Sequence, residues 1–199
     1  MKKIVFIFLI CNSVNLTLAQ KAKTLSAPEK KWATFHPFAA MKVKKLNKKI
    51  RPFYEEVKNK KELDAFESGG KTDAFRHVFY MAVLSQKISV RKLRKLGKAH
   101  EKGNYDQFLK LQNEQGELPD SLGSVMDLQN NEVGFKIGKT NKQLDLQELK
   151  TKVIEAVRNG EAVYLKRNRS GQYLTCSGEI IDRKNYKWWV PKCLIKTNE

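Results

Sequence analysis

The stretch Asp73-Ala74-Phe75-Arg76-His77-Val78-Phe79-Tyr80-Met81-Ala82-Val83-Leu84 sets a carboxylate, a guanidinium and an imidazole among apolar neighbours. Placed at helical spacing, its apolar side chains run almost all the way round, the pattern of a buried helix. Asp73, Arg76 and His77 fall on one side of it, together with Tyr80. A buried charge is costly unless it is paired or holds a metal. Residues four apart on a helix can meet one object, and Asp73 and His77 are so spaced.

A second helical pattern, over 120–138, turns Gln129, Glu132 and Lys136 to solvent. Its opposite side carries Gly123, Ser124, Asp127, Asn130, Asn131, Gly134 and Gly138. Glycine costs about 1 kcal/mol against alanine inside a helix, so three on one face predict the close approach of a backbone or a ligand. The third element is His100-Glu101. His100 shares its face with Val90, Leu93, Leu96 and Gly97, and Glu101 sits at the edge. Asn104 stands four residues after His100, so this is not the HExxH zinc helix.

Three helices thus aim Asp73, Arg76, His77, His100, Glu101, Asp127, Asn130 and Asn131 inward. Each of them singly suits a salt bridge or a carbonyl contact; so many buried polar groups together point to a functional site. Two histidines with carboxylates suit a divalent metal such as zinc, with one position left for an activated water. In that assignment His77, His100 and Asp127 are the ligands, and Asp73 or Glu101 is a base or an orienting group. Arg76 is the clamp for an anionic group, and Asn130 and Asn131 are positioning donors. Without a metal, a histidine and a carboxylate supply general acid–base chemistry. No serine-elbow motif is present, and Cys176 and Cys193 are expected to pair, which disfavours a nucleophilic serine or cysteine. His36, ahead of Pro37, reads as a turn or core residue.

Five helices are expected to position these groups, at about 38–62, 72–87, 89–102, 120–138 and 145–159, with a short sixth over 104–113. Ser68-Gly69-Gly70 and Gly116 to Asp120 supply breaks, and Pro52 should kink or divide the first helix. Beyond Gly160, residues 162–166 and 172–175 read as strands around an Asn168-Arg169-Ser170-Gly171 turn, with a third strand at Trp188–Val190. The fold class is mainly α: a multi-helix body over 32–160, then a small C-terminal β-hairpin element over 161–199 tied by a Cys176–Cys193 disulfide.

Residues 1–19 read as a cleavable signal peptide: Lys2 and Lys3, an apolar run from Ile4 to Cys11, then Thr17-Leu18-Ala19. The expectation is an exported, periplasmic or extracellular protein, with residues 20–31 as a flexible basic lead-in. No later run is long and apolar enough to span a bilayer. The formal charge is +18, or +16 without Lys2 and Lys3. It favours anionic partners such as lipid headgroups or an envelope polymer. No recognised nucleic-acid module accompanies it, and the lysines around Val43, Leu46, Ile50, Phe53 and Val57 fit the solvated face of an amphipathic helix.

Taken in order, Gly69-Gly70, Asp73-x-x-Arg76-His77, His100-Glu101 and Asp127-x-x-Asn130-Asn131-x-x-Gly134 resemble an uncharacterised bacterial family, a domain of unknown function. His36-Pro37 is similar to its entry segment. The resemblance spans about 32–160 and links the chain to secreted and toxin-associated proteins. It implies where a site lies and no activity. The expected function is a small exported hydrolase, metal-assisted or acid–base, acting on an anionic or envelope substrate. The alternatives are a non-enzymatic envelope-binding or adaptor protein and a nuclease or toxin-like effector.

Overall fold

A computed structural model describes residues 25–111, 118–182 and 187–199. The order is α1 (Ala27–Phe35), α2 (Pro37–Lys60), α3 (Lys71–Lys87), α4 (Val90–Leu109), α5 (Ser121–Thr140), α6 (Leu146–Arg158), β1 (Val163–Leu165) and β2 (Leu194–Lys196). The molecule is mainly helical with a small antiparallel sheet at its C-terminal end. The proposed signal at 1–19 lies outside the described residues. Among the described residues no helix is long and apolar enough to cross a membrane.

Helix α3 is the central rod. Ala74, Phe75, Val78, Phe79 and Ala82 are wholly buried, as its all-round apolar pattern requires. Helix α5 lies directly against it. A Cβ on Gly134 would stand 2.4 Å from the carbonyl oxygen of Val78, and one on Gly138 2.0 Å from that of Ala82. The glycine face therefore serves close packing between two backbones. Helix α6 closes the core with Leu149, Val153 and Val157, three residues at helical spacing.

Several expectations are corrected. The lead-in over 20–31 is helical from Ala27; residues 20–24 lie outside the described residues. Ser26 and Glu29 form a capping box at the start of α1, and the Trp32 indole donates to the carbonyl of Lys92 at 3.0 Å. His36 edges onto the Trp32 ring at 5.4 Å, a packing role. Helix α4 does not stop before Gly103: it runs on to Leu109 in one piece, and Gly103 makes room for Ser26, whose Oγ would stand 2.5 Å from a Cβ there. Helix α2 runs through Pro52 undivided.

The strands differ as well. The turn at 168–171 forms, with the Asn168 amide donating to Gln172 at 3.0 Å, but its arms meet only at the Arg167–Tyr173 bridge. The partner of β1 is β2, in the register Val163–Lys196, Tyr164–Ile195 and Leu165–Leu194. Trp188–Val190 forms no strand; Trp188 packs on Tyr105 and Phe108 of α4. The Cys176–Cys193 disulfide is present and anchors this element.

Candidate metal centre

The site begins with the cap of α3. Gly69, at φ +69°, turns the chain so that its N–H donates to Asp73 Oδ2 at 2.7 Å. Asp64 accepts from the amides of Lys71 and Thr72 at 2.5 and 2.9 Å. These contacts satisfy orphan donors of the first turn and hold Asp73 in one orientation. Arg76 Nη2 then lies 2.6 Å from Asp73 Oδ1.

His77, one residue on, projects beside them. Its Nε2 is 3.2 Å from Asp127 Oδ1, 3.5 Å from Asp73 Oδ1 and 3.2 Å from Arg76 Nη2. Its Nδ1 is 3.4 Å from Asn131 Oδ1. Asn131 thus sits behind the ring, and Nε2 faces the two carboxylates. An amide oxygen behind the ring of a ligating histidine is the usual arrangement in metal sites. Asp73, His77 and Asp127 offer ligand atoms that all lie within 4.8 Å of one another, and all three residues are buried.

Burial alone would push the Asp73 carboxyl up. The Arg76 guanidinium, His77 and the Gly69 amide outweigh it and hold Asp73 below the ordinary carboxylate range. Glu101 goes the other way. Burial pushes its carboxyl up, against the opposing pull of His100, Ser124, His77 and Asn104. Asn104 donates to Glu101 Oε2 at 3.0 Å, and Oε1 is buried.

The eight expected residues therefore separate. Asp73, Arg76, His77, Asp127 and Asn131 converge. His100 does not join the expected ligand trio: its Nδ1 pairs with Glu29 Oε1 at 2.9 Å, and Asp73 takes its place. His100 still lines both spaces that open on the site. Asn130 is not a donor to the site; its amide grips the backbone of Val163, donating to the carbonyl and accepting from the N–H, both at 2.9 Å. Glu101 is buried, not at an edge.

On one side of the centre is a cavity of about 50 Å³, bordered by Asp73, Asp127, Tyr173 and Lys192. On the other is a cleft of about 510 Å³, walled by Arg51, Arg76, His77, Tyr80, His100 and Asn131. The C-terminal element roofs the smaller space, a part that helical periodicity does not disclose. Arg167 and Lys192 stack on the Tyr173 ring at 3.7 and 3.6 Å, and Lys192 is ion-paired with Asp120, the N-cap of α5. Glu29 also escaped the sequence reading, although Ser26-Ala27-Pro28-Glu29 carries a capping-box signal.

Fold and site together define a mainly helical protein with a buried Asp–His–Asp group able to hold a metal ion. Over residues 30–161 the chain matches the family described as Domain of unknown function (DUF6973), and it belongs to that family. No curated protein and no solved structure matches it.

Proposed function

We propose that the protein is an exported hydrolase that uses the Asp73–His77–Asp127 centre, with a bound divalent ion such as zinc, on an anionic substrate. The observation that carries this reading is the meeting of two buried carboxylates, which border the small cavity, with an imidazole that walls the cleft beside Arg76. The donor set suits the ion: three protein ligands of N and O type are the usual complement of a catalytic zinc. The ion would supply Lewis acidity, polarising a water or a substrate oxygen.

The chain's own residues account for the rest. Asn131 fixes the His77 ring. Gly69 and Arg76 fix Asp73, and the exposed part of Arg76, 23% of its side chain, faces the cleft as an anion contact. The same constellation without an ion leaves His77 and Asp127 as an acid–base pair. Assaying the wild-type protein and His77→Gln on phosphate, carboxylate and sulfate esters, with and without chelator, tests the reading. Hydrolysis lost in the variant and abolished by chelator supports it. Turnover that ignores chelator leaves the acid–base version, and no turnover by well-folded, zinc-supplied wild-type protein favours an adaptor.

A further inference from the structure

We infer that the α1–α2 corner docks the protein on an anionic lipid bilayer. The feature is independent of the catalytic reading. Phe35 closes α1, and Phe38 and Met41 follow on the outer side of α2. Their relative exposures are 70%, 80% and 69%, values at which a core or fold role is ruled out. Three large apolar side chains spaced three apart and left in water need a partner.

The surrounding charge says which kind. From Lys30 to Tyr54 the chain carries eight lysines and arginines and no acidic residue. Lys31, Lys42, Lys45, Lys48 and Lys49 are all exposed. The neighbouring acid, Glu29, is turned inward onto His100 and keeps only 16% of its side chain in solvent. Meanwhile Ala39, Ile50, Tyr54 and Val57 bind the opposite side of α2 to the core. The helix thus keeps one face for the fold and presents a second apolar set within a field of lysines. Apolar tips that enter the acyl boundary, with lysine stems snorkelling to headgroup phosphates, are the pattern of interfacial membrane binding. A second copy of this chain would bring two such positive surfaces together and is repelled. A soluble polyanion satisfies the lysines and leaves the Met41 and phenylalanine side chains unburied.

Co-sedimentation of the full chain with vesicles tests this, using phosphatidylcholine alone and phosphatidylcholine mixed with phosphatidylglycerol. The wild-type protein is compared with Phe35→Ser/Phe38→Ser/Met41→Ser and with Lys42→Gln/Lys45→Gln/Lys49→Gln. All carry the same N-terminal apolar run, so differences among them report the corner. The expected result is partition at least about tenfold stronger onto the anionic vesicles, reduced at least about tenfold by either variant, with thermal unfolding unchanged. Phe38→Ser alone, with an intermediate loss, guards against a folding defect in the triple variant. Equal partition of wild-type protein and the serine variant would overturn the inference. So would binding of wild-type protein to DNA or heparin with none to anionic vesicles.

Discussion

Asp127→Asn separates a metal centre from a structural polar knot, because the two accounts give its stability effect opposite signs. The ligand oxygens of Asp73 and Asp127 lie within 4.8 Å of each other. Two unit charges at that distance repel by about 3.5 kcal/mol at an effective dielectric of 20. Arg76, paired with Asp73 at 2.6 Å, offsets part of this, so the relief on removing the Asp127 charge is smaller, on the order of 1–2 kcal/mol. Asparagine has nearly the same shape without the charge. With chelator at pH 8, where imidazole is ordinarily neutral, the variant should unfold roughly 2–6 °C above wild type. With zinc at a hundred times its dissociation constant, wild type should gain about 2.7 kcal/mol and the variant much less, so that the order reverses. Differential scanning calorimetry reads both arms. A variant less stable than wild type in chelator, with neither protein responding to zinc, would refute the reasoning and make Asp127 the partner of a charged His77.

Three further outcomes follow from the same contacts. Glu29 is held at about 2, against the upward push of burial, by its bonds with His100 and Ser26. Because its folded value is depressed, its stabilisation is full above the ordinary value of 4.5 and fades as pH falls toward about 2. Urea unfolding of Glu29→Gln should therefore show a flatter loss of stability across that window than wild type. Asn130→Ala should cost about 1–3 kcal/mol, from the two part-buried backbone groups of Val163 left without their partner, whereas Asn131→Ala should stay folded and weaken zinc binding roughly 10–100-fold; denaturant titration and calorimetry distinguish them. Gly138→Ala drives a methyl to 2.0 Å from the Ala82 carbonyl and should destabilise by about 1–3 kcal/mol or more, read as a lower Tm.

Much of the helical body was legible because its signals are periodic. The inward strip of α5, from Asp127 through Asn130 and Asn131 to Gly134, is buried as its spacing implies. So are ten of the seventeen residues of α3. Periodicity fixes a face and not the neighbour that face meets. His100 points inward from a helix whose Leu93 and Gly97 are buried, yet its ring reaches Glu29, a residue hidden in sequence among lysines. Asp73 took the ligand position because its i,i+4 spacing to His77 is local, while the His77–Asp127 contact depends on how two helices cross. Asn130 and Asn131 look alike in sequence; one meets a strand more than thirty residues further on, the other a histidine. The same limit applies to β1, whose true partner is 194–196 and not the hairpin arm its turn residues suggest.

The central claim is that Asp73, His77 and Asp127 jointly hold one ion. Titration calorimetry of the metal-stripped protein with zinc tests it most directly, with elemental analysis of the dialysed complex as the stoichiometric check. One zinc per wild-type chain, absent from folded Asp73→Asn/Asp127→Asn, is the predicted result. Stripped wild-type protein that takes up no zinc, or a double variant that binds as tightly as wild type, would contradict it.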